Sequence, residues 1–104
     1  MKYLSKKDLR TNQQSRALHL YFQQVAEALN DAGLEIKEVI PEADVPWTKE
    51  TVKENIWRII QWTMLLKKST KELTKEEVGE VYNVVNRYLA QHGIHIPFPS
   101  YDND

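Results

Sequence analysis

The sequence predicts an all-α domain of three principal helices, at about residues 12–32, 49–67 and 75–92, joined by an irregular connection over 33–47. An extended C-terminal tail completes the chain. Three observations carry this. Apolar residues recur at 3–4 spacing in the first and third segments. A run from Glu54 to Lys68, ENIWRIIQWTMLLKK, is apolar nearly all round. Regular period-2 alternation is confined to short pieces near Leu34 and Ile94, too few to build a sheet.

Residues 1–10 are polar and basic and read as a flexible arm. The first helix follows, with Thr11 or Asn12 as its N-cap and Gly33 where a left-handed C-terminal residue belongs. Leu18, Phe22, Val25, Ala26, Leu29 and Ala32 form its apolar stripe. Pro41 and Pro46 then forbid a continuous helix across the connection. Thr48 is placed to cap the second helix, flanked by Trp47 and Val52 as a hydrophobic staple. That helix is short of the ~20 apolar residues a bilayer span needs, so it reads as a core helix wrapped by its neighbours. The third helix has the clearest start. Thr74-Lys75-Glu76-Glu77 fits a capping box, and Leu73 with Val78 a staple. Val78, Val81, Tyr82, Val85, Tyr88 and Leu89 follow on one face, and Gly93 ends the helix. Ile94, Ile96 and Phe98 then alternate in a tail that should pack back on the helices. A chain of 104 residues with 41% hydrophobic and 28% charged residues suits one domain, 1–104, with a modest core.

Composition removes several functions. The absence of cysteine excludes a disulfide scaffold, a thiolate metal site and a cysteine nucleophile. No secretory leader pattern opens the sequence, so a cytoplasmic location is expected. The three glycines stand apart, which excludes a glycine-rich phosphate loop. The net charge of −1 is unevenly spread. Arg10 and Arg16 belong to a basic N-terminal segment, while Arg58, Lys67, Lys68 and Lys71 form a second with no acid between them. Folding can merge the two into one patch. Between them, the acidic stretch from Glu27 to Glu54 offers a surface of opposite sign.

The aromatic residues have two readings. Trp57, Trp62, Tyr21 and Tyr82 are core residues, or they offer stacking faces to unpaired bases beside the cations of the second basic segment. If Ile56, Ile59, Ile60 and Thr63 face one neighbour, Trp57 and Trp62 point elsewhere, and a fully apolar helix in a three-helix chain suggests a second subunit. Trp57 and Trp62 are therefore the expected dimer contacts. His19, His92 and His95 are weighed as a zinc site and set aside, because no tight ligand spacing supports them. Neither metal nor cofactor is expected.

The residues Arg10 to Leu20 (RTNQQSRALHL), PWT at 46–48, a helix carrying Lys53 and Trp57, Ser69-Thr70-Lys71-Glu72-Leu73, and His92-Gly93-Ile94-His95 together resemble the phage NinB family of lambda Orf-type recombination mediators. The similarity covers residues 10 to 97. Lambda-type members carry a longer N-terminal region than the ten or so residues present here. The resemblance implies a non-catalytic, dimeric protein that binds single-stranded DNA and helps load a host recombinase in place of single-strand-binding protein. The DNA-binding residues are then expected among Arg10, Gln13, Arg16, Arg58, Lys67, Lys68 and Lys71. The alternatives are a phage-encoded inhibitor that binds a host protein through its acidic stretch, and a histidine-dependent metal nuclease.

Overall fold

The structure is a computed structural model and describes residues 12–36 and 45–99. Helix α1 spans Asn12–Asp31. Helix α2 covers residues 49–65 in three stretches: an α-helical turn, a π-helical turn over Lys53–Trp57 and an α-helical Arg58–Leu65. A short 3-10 turn at Thr70–Glu72 leads to α3, Lys75–Ala90. No strand occurs among the described residues, as the sequence predicts. The basic arm, the cap at Thr11 and the centre of the 33–47 connection lie outside the described residues.

The helix boundaries come from local chemistry. Thr48 Oγ1 accepts from the Thr51 N–H, and Thr51 Oγ1 accepts from the Thr48 N–H. Thr74 and Glu77 make the same reciprocal pair at the start of α3. Each cap contributes on the order of 1 kcal/mol. Gly33 and Gly93 adopt left-handed backbones at φ 74° and 77°. Helix α2 stops at Leu65, two residues before the predicted end, because Leu66 is itself left-handed at φ 58°. Within the π-turn the Arg58 N–H reaches the Lys53 carbonyl, five residues back. The Asn55 side chain meanwhile donates to the Thr51 carbonyl at 3.0 Å and so competes for a ladder acceptor.

Helix direction alternates. Asn30, near the end of α1, exchanges two hydrogen bonds with the backbone of Trp47, just before α2. The Trp47 indole N–H donates to the Leu34 carbonyl at 2.9 Å, so both ends of the connection are pinned to the core. Lys67, just past α2, reaches Glu77 in the first turn of α3. Helices α1 and α3 therefore run parallel, with α2 antiparallel to both. A cavity of about 260 Å³ between Gln14, Lys75, Val78, Gly79, Tyr82 and Phe98 joins the beginnings of α1 and α3. A second, of about 130 Å³, joins Leu29 to Tyr88 and His92 at their ends.

The core is one cluster drawn from all three helices and the tail. Tyr21, Phe22, Val25, Val52, Trp57, Leu73, Val81, Val85 and Leu89 are fully buried, and Ile94 closes one end. The Tyr82 hydroxyl donates to the Ile96 carbonyl at 3.0 Å, which lays the extended tail on the bundle. The sequence also predicts α2 to be wrapped on every side, and here the structure differs. Val52, Ile56, Trp57 and Gln61 are buried, while Ile59, Trp62, Met64 and Leu66 are exposed. Two neighbouring helices cover only one side of a third, so the remaining apolar side faces solvent.

Among the described residues, two buried side-chain atoms lack a hydrogen-bond partner, the Tyr21 hydroxyl and Asn86 Oδ1. The Tyr21 hydroxyl is buried against Tyr82, Phe98 and Trp57 and has no hydrogen-bond partner. Burial, with a smaller contribution from Tyr82, pushes its ionisation far above the ordinary tyrosine range. An unsatisfied buried hydroxyl costs about 1–3 kcal/mol. Tyr21→Phe is therefore expected to raise stability by about 1 kcal/mol, read as a higher urea midpoint at unchanged slope. A lower midpoint would mean that the hydroxyl has a partner in solution.

Candidate nucleic-acid interface

The turn after α2 folds back along the helix and makes an open groove of about 370 Å³, lined by Glu54, Arg58, Ile59, Trp62, Thr63 and Lys68. Two buried or half-buried side chains build it. Gln61, fully buried, donates from Nε2 to the Lys67 carbonyl at 2.9 Å and accepts the Trp57 indole N–H at 3.0 Å. Arg58 donates from Nε to the Lys68 carbonyl at 2.9 Å and from a terminal nitrogen to Glu54 at 2.7 Å. Held in this way, the turn sets Lys68 Nζ 5.6 Å from the centroid of the Trp62 ring. Trp62 is 45% exposed, whereas Trp47 and Trp57 are 4% and 0% exposed. The groove thus presents an aromatic face, one cation above it, a guanidinium beside it and a carboxylate at one end.

Of the residues expected to meet DNA, the structure brings Arg58 and Lys68 together with Trp62. Lys71 is exposed in the following 3-10 turn. Arg16 is exposed in the first turns of α1, at the bundle end where α2 finishes and α3 begins. Lys67 has another role. Its ammonium pairs with both Glu77 oxygens at 2.8 and 3.0 Å and tethers the turn to the start of α3. Arg10 and the Gln13 side chain lie outside the described residues. Trp57, predicted at a dimer contact, packs edge-on against Tyr21 and Phe22 and has no surface left for a second subunit. Of the residues that build the groove, Gln61 carried no functional expectation, and Glu54 was expected only as the end of the acidic stretch. The i,i+4 spacing of Glu54 and Arg58 was a usable signal. Nothing local marks Gln61 as buried.

The Lys67–Glu77 pair has a pH signature. The hydrogen bond from Lys67, followed by that from the Thr74 N–H, holds the Glu77 carboxyl below the usual glutamate range. A carboxylate with a depressed folded pKa stabilises the fold above its unfolded pKa, and that contribution is lost as pH falls through the folded value. The expected result is an acid-side loss of stability beginning near pH ~4.3 and continuing below it. Glu77→Gln keeps the capping box and removes the charge, so it should flatten this limb in melts taken across acidic pH. A limb of unchanged depth in Glu77→Gln would assign it to other carboxylates.

His19 packs edge-on to Phe22, and His92 to Tyr88. Because α1 and α3 are parallel, His19 in the first half of α1 and His92 just past the end of α3 are set apart along the bundle. Among the described residues no three His, Cys, Asp or Glu side chains gather where they could hold a metal ion. None of the described helices is long and apolar enough to cross a membrane. No protein-family model matches this chain, and no curated protein or solved structure matches it either.

Proposed function

We propose that this chain is a non-catalytic, cytoplasmic single-stranded-DNA-binding protein of phage recombination that stacks an unpaired base on Trp62 and sets the adjoining phosphate on Lys68. One observation carries the reading. An exposed indole with an ammonium 5.6 Å from its centroid and a guanidinium in the same groove combines the two elements that single-strand binding uses. Lys71 and Arg16 extend positive charge at the same end of the bundle. The resemblance to NinB-type mediators points the same way, toward a protein that hands single strands to a host recombinase.

The test is a fluorescence and anisotropy titration with oligothymidylate, duplex and RNA across a salt series. Stacking on Trp62 should quench tryptophan emission, with the buried Trp47 and Trp57 left as a constant background. Trp62→Ala should weaken single-strand binding by roughly 5- to 150-fold, the equivalent of about 1–3 kcal/mol for one stacked base, without changing the salt slope. Lys68→Ala should instead reduce that slope by about 0.7, the value of one phosphate contact on a single strand. If no oligonucleotide binds in a salt-dependent way, the nucleic-acid reading is wrong.

A further inference from the structure

We propose that the cavity between the beginnings of α1 and α3 is a binding site for a small amphipathic monocarboxylate, an apolar body with one anionic end. The site is separate from the Trp62 groove, and the proposal stands whether or not that groove binds a strand. At about 260 Å³, the cavity exceeds the roughly 150 Å³ that takes up one benzene. A phenyl ring with a short carboxylate arm is the size it accepts.

The cavity is built rather than left over from loose packing. Its wall includes the rings of Tyr82 and Phe98, which meet edge-on with centroids 5.4 Å apart. Tyr21, fully buried, packs on both rings at 5.2 and 5.7 Å and supports them from the core. The Tyr82 hydroxyl donates to the Ile96 carbonyl, which fixes the tail and with it Phe98, two residues on. Rings held in this way offer edge-to-face contacts to an aromatic body.

Gly79 supplies a second, independent observation. Glycine inside a helix is destabilising, and neither usual reason for keeping one applies. Its φ is not positive, and an added Cβ would meet no atom within 4 Å. Lys75, Val78, Gly79 and Tyr82 share one side of α3 by their i, i+3, i+4, i+7 spacing, and all four line the cavity. A larger side chain at position 79 would take up its space. The glycine weakens the helix and keeps the cavity open.

Charge complementarity selects the ligand's polar end. Lys75, at the first position of α3, is exposed, and its ammonium has no partner among the described residues. Tyr82 lies seven residues further along the same helix, roughly 10 Å at helical rise. A carboxylate at Lys75 with its ring against Tyr82 and Phe98 spans that length. The helix N-terminus adds to the attraction for an anion. Glu76 and Glu77 fall outside this side of the helix, and among the described residues no carboxylate lines the cavity.

Calorimetric titration of the full chain with hydrocinnamate tests this, beside its neutral amide and propionate, which lacks the ring. The expected result is one site per chain with a Kd of roughly 0.1–1 mM, ordinary for a ligand of about a dozen heavy atoms. The amide should bind about 3-fold more weakly, the contribution of one exposed ion pair, and propionate not measurably. Lys75→Gln should remove the preference for the acid and leave amide binding unchanged. Gly79→Leu should abolish binding of both at an equal or higher melting temperature, which separates a filled cavity from a damaged fold. Gly79→Ala should also raise the melting temperature and weaken binding by less. Trp62→Ala should bind hydrocinnamate as the unaltered chain does. The absence of saturable binding overturns the proposal, as does binding that survives Gly79→Leu. Equal affinity for acid and amide refutes a carboxylate as the polar end. Binding lost in Trp62→Ala would move the ligand to the groove and overturn the site.

Discussion

Trp57→Ala is expected to remove a large share of the stability of this domain. Trp57 is fully buried and packs edge-on against Tyr21 and Phe22 at centroid distances of 6.1 and 5.3 Å. Truncating a buried tryptophan costs about 3–5 kcal/mol in lost transfer energy and residual cavity. Small domains have only about 5–15 kcal/mol in total. A fall in melting temperature of roughly 15–30 °C follows from the usual conversion for a domain of this size. The Gln61 Oε1 that accepts the indole N–H would also lose its partner. Trp62→Ala, five residues along the same helix, should change the melting temperature little, because that ring is already 45% exposed. Thermal melts of the two variants side by side give the contrast. Equal shifts would refute the assignment of one ring to the core and the other to the surface.

That contrast shows how much of the fold the sequence made legible. The stripes of α1 and α3 could be read directly, because each packs one side inward and its polar residues fall on the other. Val78, Val81, Val85 and Leu89 are all buried in the positions the spacing predicts. The Thr48 and Thr74 caps were equally visible, since their chemistry is complete within four residues. Helix α2 was harder. An apolar run carries no periodicity, and without it nothing in the sequence tells which side meets the core. Trp57 and Trp62 were therefore indistinguishable until the packing of α1 and α3 fixed the inward side.

The groove was legible in composition and illegible in geometry. Arg58 and Lys68 were expected to bind DNA and Trp62 to sit at an interface, and the structure places all three on one surface. Lys67, adjacent to Lys68 and of the same type, turns the other way because Glu77 offers it two carboxylate oxygens across ten residues of sequence. No pattern in a basic run distinguishes the cation that meets solvent from the one that closes a turn. The early stop of α2 at Leu66 also defied the sequence, as a leucine carries no signal for a left-handed helix end.

Gln61→Leu is expected to damage both stability and strand binding without touching the groove surface. Gln61 joins the core to the turn: its carbonyl takes the Trp57 N–H, and its amide holds the Lys67 carbonyl. Leucine of similar size leaves both groups without a partner, at about 1–3 kcal/mol for each when buried. The combined loss should be roughly 2–4 kcal/mol, since neighbouring effects are not additive. Freed from the amide, the turn no longer fixes Lys68 over Trp62, so oligonucleotide affinity measured well below the melting temperature should fall about 5-fold, the equivalent of 1 kcal/mol. Gln61→Glu separates the two bonds by pH. The introduced carboxyl, when protonated, can accept from Trp57 and donate to Lys67, and burial raises its pKa above the ordinary range. Its stability should be highest at low pH and be lost as pH rises through that raised pKa, opposite in sign to the Glu77 contribution. Melts of Gln61→Glu across pH 4 to 8 that show no such rise on the acid side, together with an unchanged melting temperature in Gln61→Leu, would remove Gln61 as the link between core and groove.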